Sequence, residues 1–160
     1  MKKFTLTIFF ALSMFIIGSL NAQCPDGEST VQILVDTDGW GYEAYWELVE
    51  LGQTCGSAPV IMSGGNMDVG CDGNGADASD GEAYESNQIF LSEVVCLVTG
   101  SQVDLIYVDS YGDGGFDFTI LIDEMPAQNF DGQGYGDVFT VDVEEVVLID
   151  HDVPCDAAYV

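Results

Sequence analysis

The chain alternates apolar and polar residues over short stretches, and each stretch ends in glycine, aspartate, asparagine or serine. Val31-Gln-Ile-Leu-Val35 places Val31, Ile33 and Val35 on one face, the two-residue period of a half-buried strand. Tyr45-Trp-Glu-Leu-Val-Glu-Leu51 repeats the pattern with Trp46 and Leu48 inward and Glu47 and Glu50 outward. The glycine-containing loop between them, Asp36 to Glu43, predicts a long hairpin with an acidic, aromatic tip. Gln88–Leu97 and Val103–Val108 predict a second strand pair turning at Thr99-Gly100-Ser101. Phe116–Ile122 puts Phe116, Phe118, Ile120 and Ile122 on one face. Asp123 to about Asp137 reads as a turn region, Val138–Val143 alternates again, and Val146–Ile149 could form an edge strand. The stretch from Gly52 to Asn87 is the least regular, with one short candidate strand at Pro59–Met62. Strands this short and frequent, with no helical period between them, predict an all-β chain: an antiparallel β-sandwich, jelly-roll-like, in a single domain.

The N-terminus follows a different pattern. Lys2 and Lys3 precede an unbroken apolar run from about Phe4 to Ile17, and small and polar residues lead to Ala22. That is the layout of a secretory signal peptide over residues 1–22, too short to span a bilayer comfortably. The expected organisation is signal peptide, then a sandwich domain over 23–149 with an acidic, Gly-rich insert at about 63–87, then a tail over 150–160. Secretion to the extracellular space or cell surface follows, with no membrane insertion after cleavage.

Cleavage sharpens the electrostatics. Lys2 and Lys3 are the only Lys or Arg residues, so their loss moves the formal charge from −26 to −28. Neutralising nucleic-acid phosphates or anionic lipid headgroups is excluded for such a chain. Self-repulsion must instead be relieved by bound divalent cations or by ambient salt. Apolar residues still make up 48% of the sequence, enough for a core. Five cysteines, at 24, 55, 71, 96 and 155, predict disulfides with one residue left over. Cys24 with Cys155 would staple the ends of the domain and Cys55 with Cys71 would close one loop, among fifteen possible arrangements.

Three carboxylates recur at every fourth position in Asp109-Ser-Tyr-Gly-Asp-Gly-Gly-Phe-Asp117, with glycines that let the backbone turn back. Calcium takes ligands of this oxygen-rich kind from flexible loops. If this loop and the Asp36–Glu43 loop share one end of the sandwich, Asp36, Asp38, Glu43, Asp109, Asp113 and Asp117 form the candidate calcium ligands. The competing reading is that these residues are ordinary turn formers. Trp40, Tyr42, Tyr111 and Phe116 lie on the same loops and are candidate ligand-binding aromatics, or else covers for the end of the core. Asp72–Glu82 superficially matches an EF-hand loop but has Ala76 at its third ligand position and Asp77 where the glycine belongs.

Two segments together resemble a known module. Thr37-Asp-Gly-Trp-Gly-Tyr-Glu-Ala-Tyr-Trp-Glu-Leu48, followed by Cys96-Leu-Val-Thr-Gly100 and Val108-Asp-Ser-Tyr-Gly-Asp-Gly114, is similar to a β-rich module of secreted and cell-surface bacterial proteins. The similarity spans about Val31 to Val143. It implies an accessory part of exported proteins, some sent out by type IX secretion, with a role in surface display or adhesion. The module's second cysteine is replaced near Ser101, so its local disulfide cannot form here.

The functional expectation is a secreted, non-catalytic structural or adhesive module stabilised by calcium, with cell-surface or matrix components, including glycan, as partners. The alternative is a calcium-dependent carbohydrate-binding module. An enzyme such as a glycosidase ranks below both. A set of 28 acids always offers carboxylate pairs, so their presence does not identify one. After cleavage there is also no Lys or Arg to hold an oxyanion, and the sole histidine, His151, lies in the unpatterned tail.

Overall fold

The computed structural model of the chain describes residues 24–81 and 83–146. The signal-peptide residues, His151, Cys155 and the tail lie outside that range. Nine strands form two antiparallel sheets packed face to face, so the chain is a β-sandwich. The strands are β1 Glu28–Thr37, β2 Ala44–Glu50, β3 Val60–Gly65, β4 Ile89–Leu91, β5 Val95–Val98, β6 Gln102–Asp109, β7 Phe116–Ile122, β8 Met125–Asp131 and β9 Gly136–Asp142. One sheet runs β4–β1–β7–β8, with β5 also paired to β1 below β4; the other runs β3–β2–β6–β9.

The core lies between them, where the alternation placed it. Val31, Ile33 and Val35 of β1 and Phe116, Phe118, Ile120 and Ile122 of β7 meet Trp46, Leu48, Leu105, Tyr107 and Val141 of the other sheet. Trp46 packs edge-on against Phe118, and Tyr107 packs against both Phe116 and Phe118. Burying this many aromatic and branched side chains supplies the main driving force for folding.

The two expected hairpins are not hairpins. β1 pairs with β4, β5 and β7, whereas β2 pairs with β3 and β6, so Asp38–Glu43 crosses from one sheet to the other. Likewise β5 and β6 belong to different sheets, and Gln88–Leu97 divides into β4 and β5. Alternation reports that a strand has one buried face. It does not report which of two facing sheets the strand joins, and a six-residue loop serves either path. The turn region Asp123–Asp137 contains β8, whose weak apolar pattern reflects its position at a sheet edge. Val146 carries no strand, and the rest of Val146–Ile149 lies outside the described residues.

The outer face of β2 is also buried. Glu47 points outward, as its strand position predicts, but it is covered. Loop 51–59 and the insert close over it, tied by a Cys55–Cys71 disulfide. Glu47 accepts hydrogen bonds from Gly56 N at 2.7 Å and from the Tyr45 hydroxyl at 2.9 Å. Asp104 beside it accepts from Gly52 N at 2.7 Å and from Thr140 Oγ1 at 3.0 Å. Buried carboxylates need such donors to replace lost water. The second disulfide joins Cys24 to Cys96, not to Cys155. It clamps the start of the domain to β5, next to the β1–β5 pairing.

Candidate cation site at the crossing loops

Four connections meet at one end of the sandwich, and each crosses between sheets: 38–43, 66–88, 110–115 and 132–135. Their neighbours in register fix this arrangement. Thr37 pairs with Phe116 across β1 and β7, and Ala44 with Asp109 across β2 and β6, so two of the loops run side by side as arches. Ser110 N donates to Glu43 O at 2.9 Å, and Asp38 N donates to Gly115 O at 3.0 Å. The insert docks on them from the other side. Asn87 N donates to Asp38 O, Thr37 Oγ1 to Glu85 O, and the Asn66 amide to both Tyr42 O and Asp80 Oδ2.

Glu43, Asp109 and Asp113 come together here, each offering an oxygen within 4.8 Å of the others. Their roles differ. Asp109 is buried and accepts backbone N–H groups from Tyr111 at 2.7 Å, Gly112 at 3.1 Å and Gly114 at 2.8 Å. Its carboxylate therefore shapes the loop, in the manner of an aspartate that caps its own turn. Asp113 is exposed, and Glu43 retains only 7% of its exposure. Burial raises the pKa of Glu43 above its usual 4.5; a hydrogen bond with Tyr42 opposes this, and the charges of Asp113, Asp109 and Asp38 push it further up. No basic residue lies anywhere in 24–146 to offset that charge.

The six expected ligands thus divide. Asp38 sits beside the cluster, with Oδ1 held by Trp40 N at 2.7 Å. Asp36 and Asp117 instead face outward from the first sheet, in one register with Asp131. Burial, followed by Asp131 and then Asp36, raises the pKa of Asp117. This row lines a separate open cleft that shares only Asp38 with the arches' acids. The strand period explains the split. Asp36 and Asp117 occupy outward positions within β1 and β7, whereas the other four lie in the arches or at their ends.

The aromatics divide too. Trp40 is 52% exposed and Tyr111 is also exposed, whereas Phe116 is 1% exposed and belongs to the core. Tyr42 is half-buried, edge-on to Trp40, and its hydroxyl is held above its ordinary pKa by burial and then by Glu43. Tyr135, 74% exposed, was not anticipated, because it lay in the stretch read as a turn. Its ring covers Gly112, where a Cβ would stand 2.5 Å from the ring.

The chemistry available is that of hard-cation binding: carboxylate oxygens, loop carbonyls, strong negative potential and, among the described residues, no competing ammonium or guanidinium group. The chain matches no protein-family model, no curated protein and no solved structure.

Proposed function

We propose that this protein is an extracellular, non-catalytic structural or adhesive module whose crossing-loop end is closed by one calcium ion. The observation that carries this reading is Glu43: a buried carboxylate, close to two others, with no basic side chain among residues 24–146 to neutralise it. Burying an ionised carboxylate is unfavourable unless a charge partner is supplied. A divalent cation held by Glu43 and Asp113, with Asp38 and loop carbonyls alongside, supplies one and joins two arches that each cross between the sheets. Asp36 and Asp117 are not part of this proposed shell.

The extracellular setting rests on the two disulfides and on the N-terminal pattern. Among the described residues, no helix is long and apolar enough to cross a membrane. The non-catalytic reading is supported by the use that three of the four buried acids among the described residues already have: Asp109 in its turn, Glu47 and Asp104 in pinning the 51–59 loop.

A glycan-binding role is the second reading, favoured by the exposure of Trp40 and Tyr111 on the same arches. A glycan array read with calcium and again with EDTA separates the two. Calcium-dependent retention of a sugar, lost on Trp40→Ala, supports the second; silence across the array, with a calcium-dependent melting temperature, supports the first. A melting temperature indifferent to calcium and chelator at low salt contradicts both.

A further inference from the structure

Each sheet has two edges, and all but one of them are blunted. On the first sheet, β8 carries Pro126, which has no N–H, and faces a register shift between Ile120 and Leu121 of β7. The opposite edge is divided between β4, three residues long, and β5, four residues long. On the second sheet, β3 has a register shift against β2 and ends in Gly64-Gly65, with Gly65 at φ of 85°. β9 has none of these features. It contains no proline and pairs with β6 from Gly136 to Asp142 without a shift. Register gives the direction of its free groups. Asp109 N donates to Tyr135 O and Val143 N to Ser101 O, so the alternate residues between them, Asp137, Phe139 and Val141, face β6. Val138 and Thr140 therefore direct their N–H and C=O groups away from the sheet. At Asp142, next in that series, Gln128 of β8 takes the place of a neighbouring strand. Its Nε2 donates to Asp142 O at 2.7 Å, and its Oε1 accepts from Asp142 N at 3.2 Å. Among the described residues, no such group meets the backbone of Val138 or Thr140. Along this edge Val138 is 61% exposed, and Phe139 stacks on Phe130 at 4.9 Å, both half-buried.

We propose that the free edge of β9 takes an added strand from a partner protein of net positive charge. Strand addition to an open edge draws affinity from main-chain hydrogen bonds and specificity from alternate side chains. Val138 and Thr140 offer two N–H and two C=O groups at the spacing of a ladder, beside a residue whose own pair is already met by an amide. Side chains of an added strand would lie alternately over the Phe130–Phe139 pair and beside Val138. Charge selects the occupant. A second copy of the chain would bring a further formal charge of −26, whereas a cationic segment is attracted by the acidic surface. Such a partner is the counterpart of the adhesive role proposed above and rests on that role for its setting, but pairing at β9 does not need the cation at the arches.

The test is a titration of the secreted protein with acetyl-Lys-Val-Lys-Val-Lys-Val-Lys-amide at physiological salt, read from the amide resonances and hydrogen exchange of Val138 and Thr140. It is run in calcium and again in EDTA, so that failure of the edge and failure of the calcium reading are told apart. Saturable shifts and slowed exchange at both amides are expected in both conditions. The same peptide N-methylated at every residue keeps its charge and side chains but has no N–H to pair, and should bind about tenfold more weakly. Replacing its lysines by glutamates should abolish binding. Val138→Thr should retain binding. Val138→Pro removes an edge N–H without touching the β6 ladder and should weaken binding about tenfold. Equal binding of the N-methylated peptide, or equal binding by Val138→Pro, would overturn the proposal. So would slowed exchange at Val138 and Thr140 in the peptide-free protein, either rising with protein concentration, as when two copies pair, or independent of it, as when the edge is filled within one chain.

Discussion

Asp38 and Gly115 join the two arches twice. The Asp38 amide donates to the Gly115 carbonyl at 3.0 Å, and the Asp38 carboxylate occupies the space beside the Gly115 Cα where a side chain would project. A Cβ there would lie 2.6 Å from Asp38 Cγ, and the residue has φ of 133°. Only glycine fits both conditions without strain. Gly115→Ala is therefore expected to cost about 2–4 kcal/mol in denaturant unfolding, combining backbone strain with displacement of Asp38. A loss under about 0.5 kcal/mol, the scale of an ordinary surface change, contradicts the close approach.

Asp109 and Asp113 belong to one loop but should respond differently. Asp109→Ala leaves three backbone N–H groups without their acceptor and should cost about 2–3 kcal/mol whether or not calcium is present. Asp113→Ala removes an exposed side chain and should leave the chelated protein within about 0.5 kcal/mol of wild type. It should nonetheless abolish the rise in melting temperature with calcium. Equal losses for the two variants in EDTA contradict the division of roles.

The pH dependence should change sign with the metal. Without a cation, the folded state holds the Glu43 proton more tightly than the unfolded chain, whose pKa is near 4.5. Stability then falls as pH rises from about 4.5 through the raised folded value, and Asp117 acts in the same sense. With calcium bound, the ionised form is held, and the calcium-dependent part of the stability is lost as pH falls through that window. Melting curves at several pH values, with calcium and with EDTA, should converge on acidification. Parallel curves contradict the assignment to Glu43.

The disulfides should contribute unequally. The 72-residue span between Cys24 and Cys96 constrains the unfolded chain more than the 16-residue span between Cys55 and Cys71. Loop-closure entropy puts their removal at about 4 and about 3 kcal/mol respectively. Loss of the shorter one should also open the cover over Glu47, and hydrogen exchange at Gly56, which donates to that carboxylate, should accelerate. Unchanged exchange at Gly56 in Cys55→Ala/Cys71→Ala contradicts a pinning role.

Much of the core was legible in the sequence, because Val31, Ile33, Trp46, Leu48 and Phe116–Ile122 follow the strand period and the interior rewards that period directly. Strand pairing was not legible. Deciding between a hairpin and a crossing requires knowing which sheet each strand joins, and that depends on partners distant in the chain, such as Phe118 for Val35. The same ambiguity hid the cover over Glu47, since an outward charge reads as solvated unless another segment folds over it. At the site, the acidic loops were visible as motifs, and the crossings do bring them to one end. The separation of Asp36 and Asp117 from Glu43 and Asp113 follows from strand ends that local composition does not mark. Tyr135 became visible only once β8 and β9 placed the connection between them over the Gly112 arch.

The most direct measurement is calorimetric calcium titration of wild type and Glu43→Gln at about 0.1 M salt, which screens diffuse attraction by the acidic surface. The amide is close to isosteric and removes one buried charge, so Glu43→Gln should fold and melt at or above the wild-type temperature in EDTA. Wild type should show one saturable site whose occupancy raises its melting temperature, and Glu43→Gln should show neither. Identical titrations of the two proteins, with identical calcium-dependent melting, would contradict a cation held between the arches.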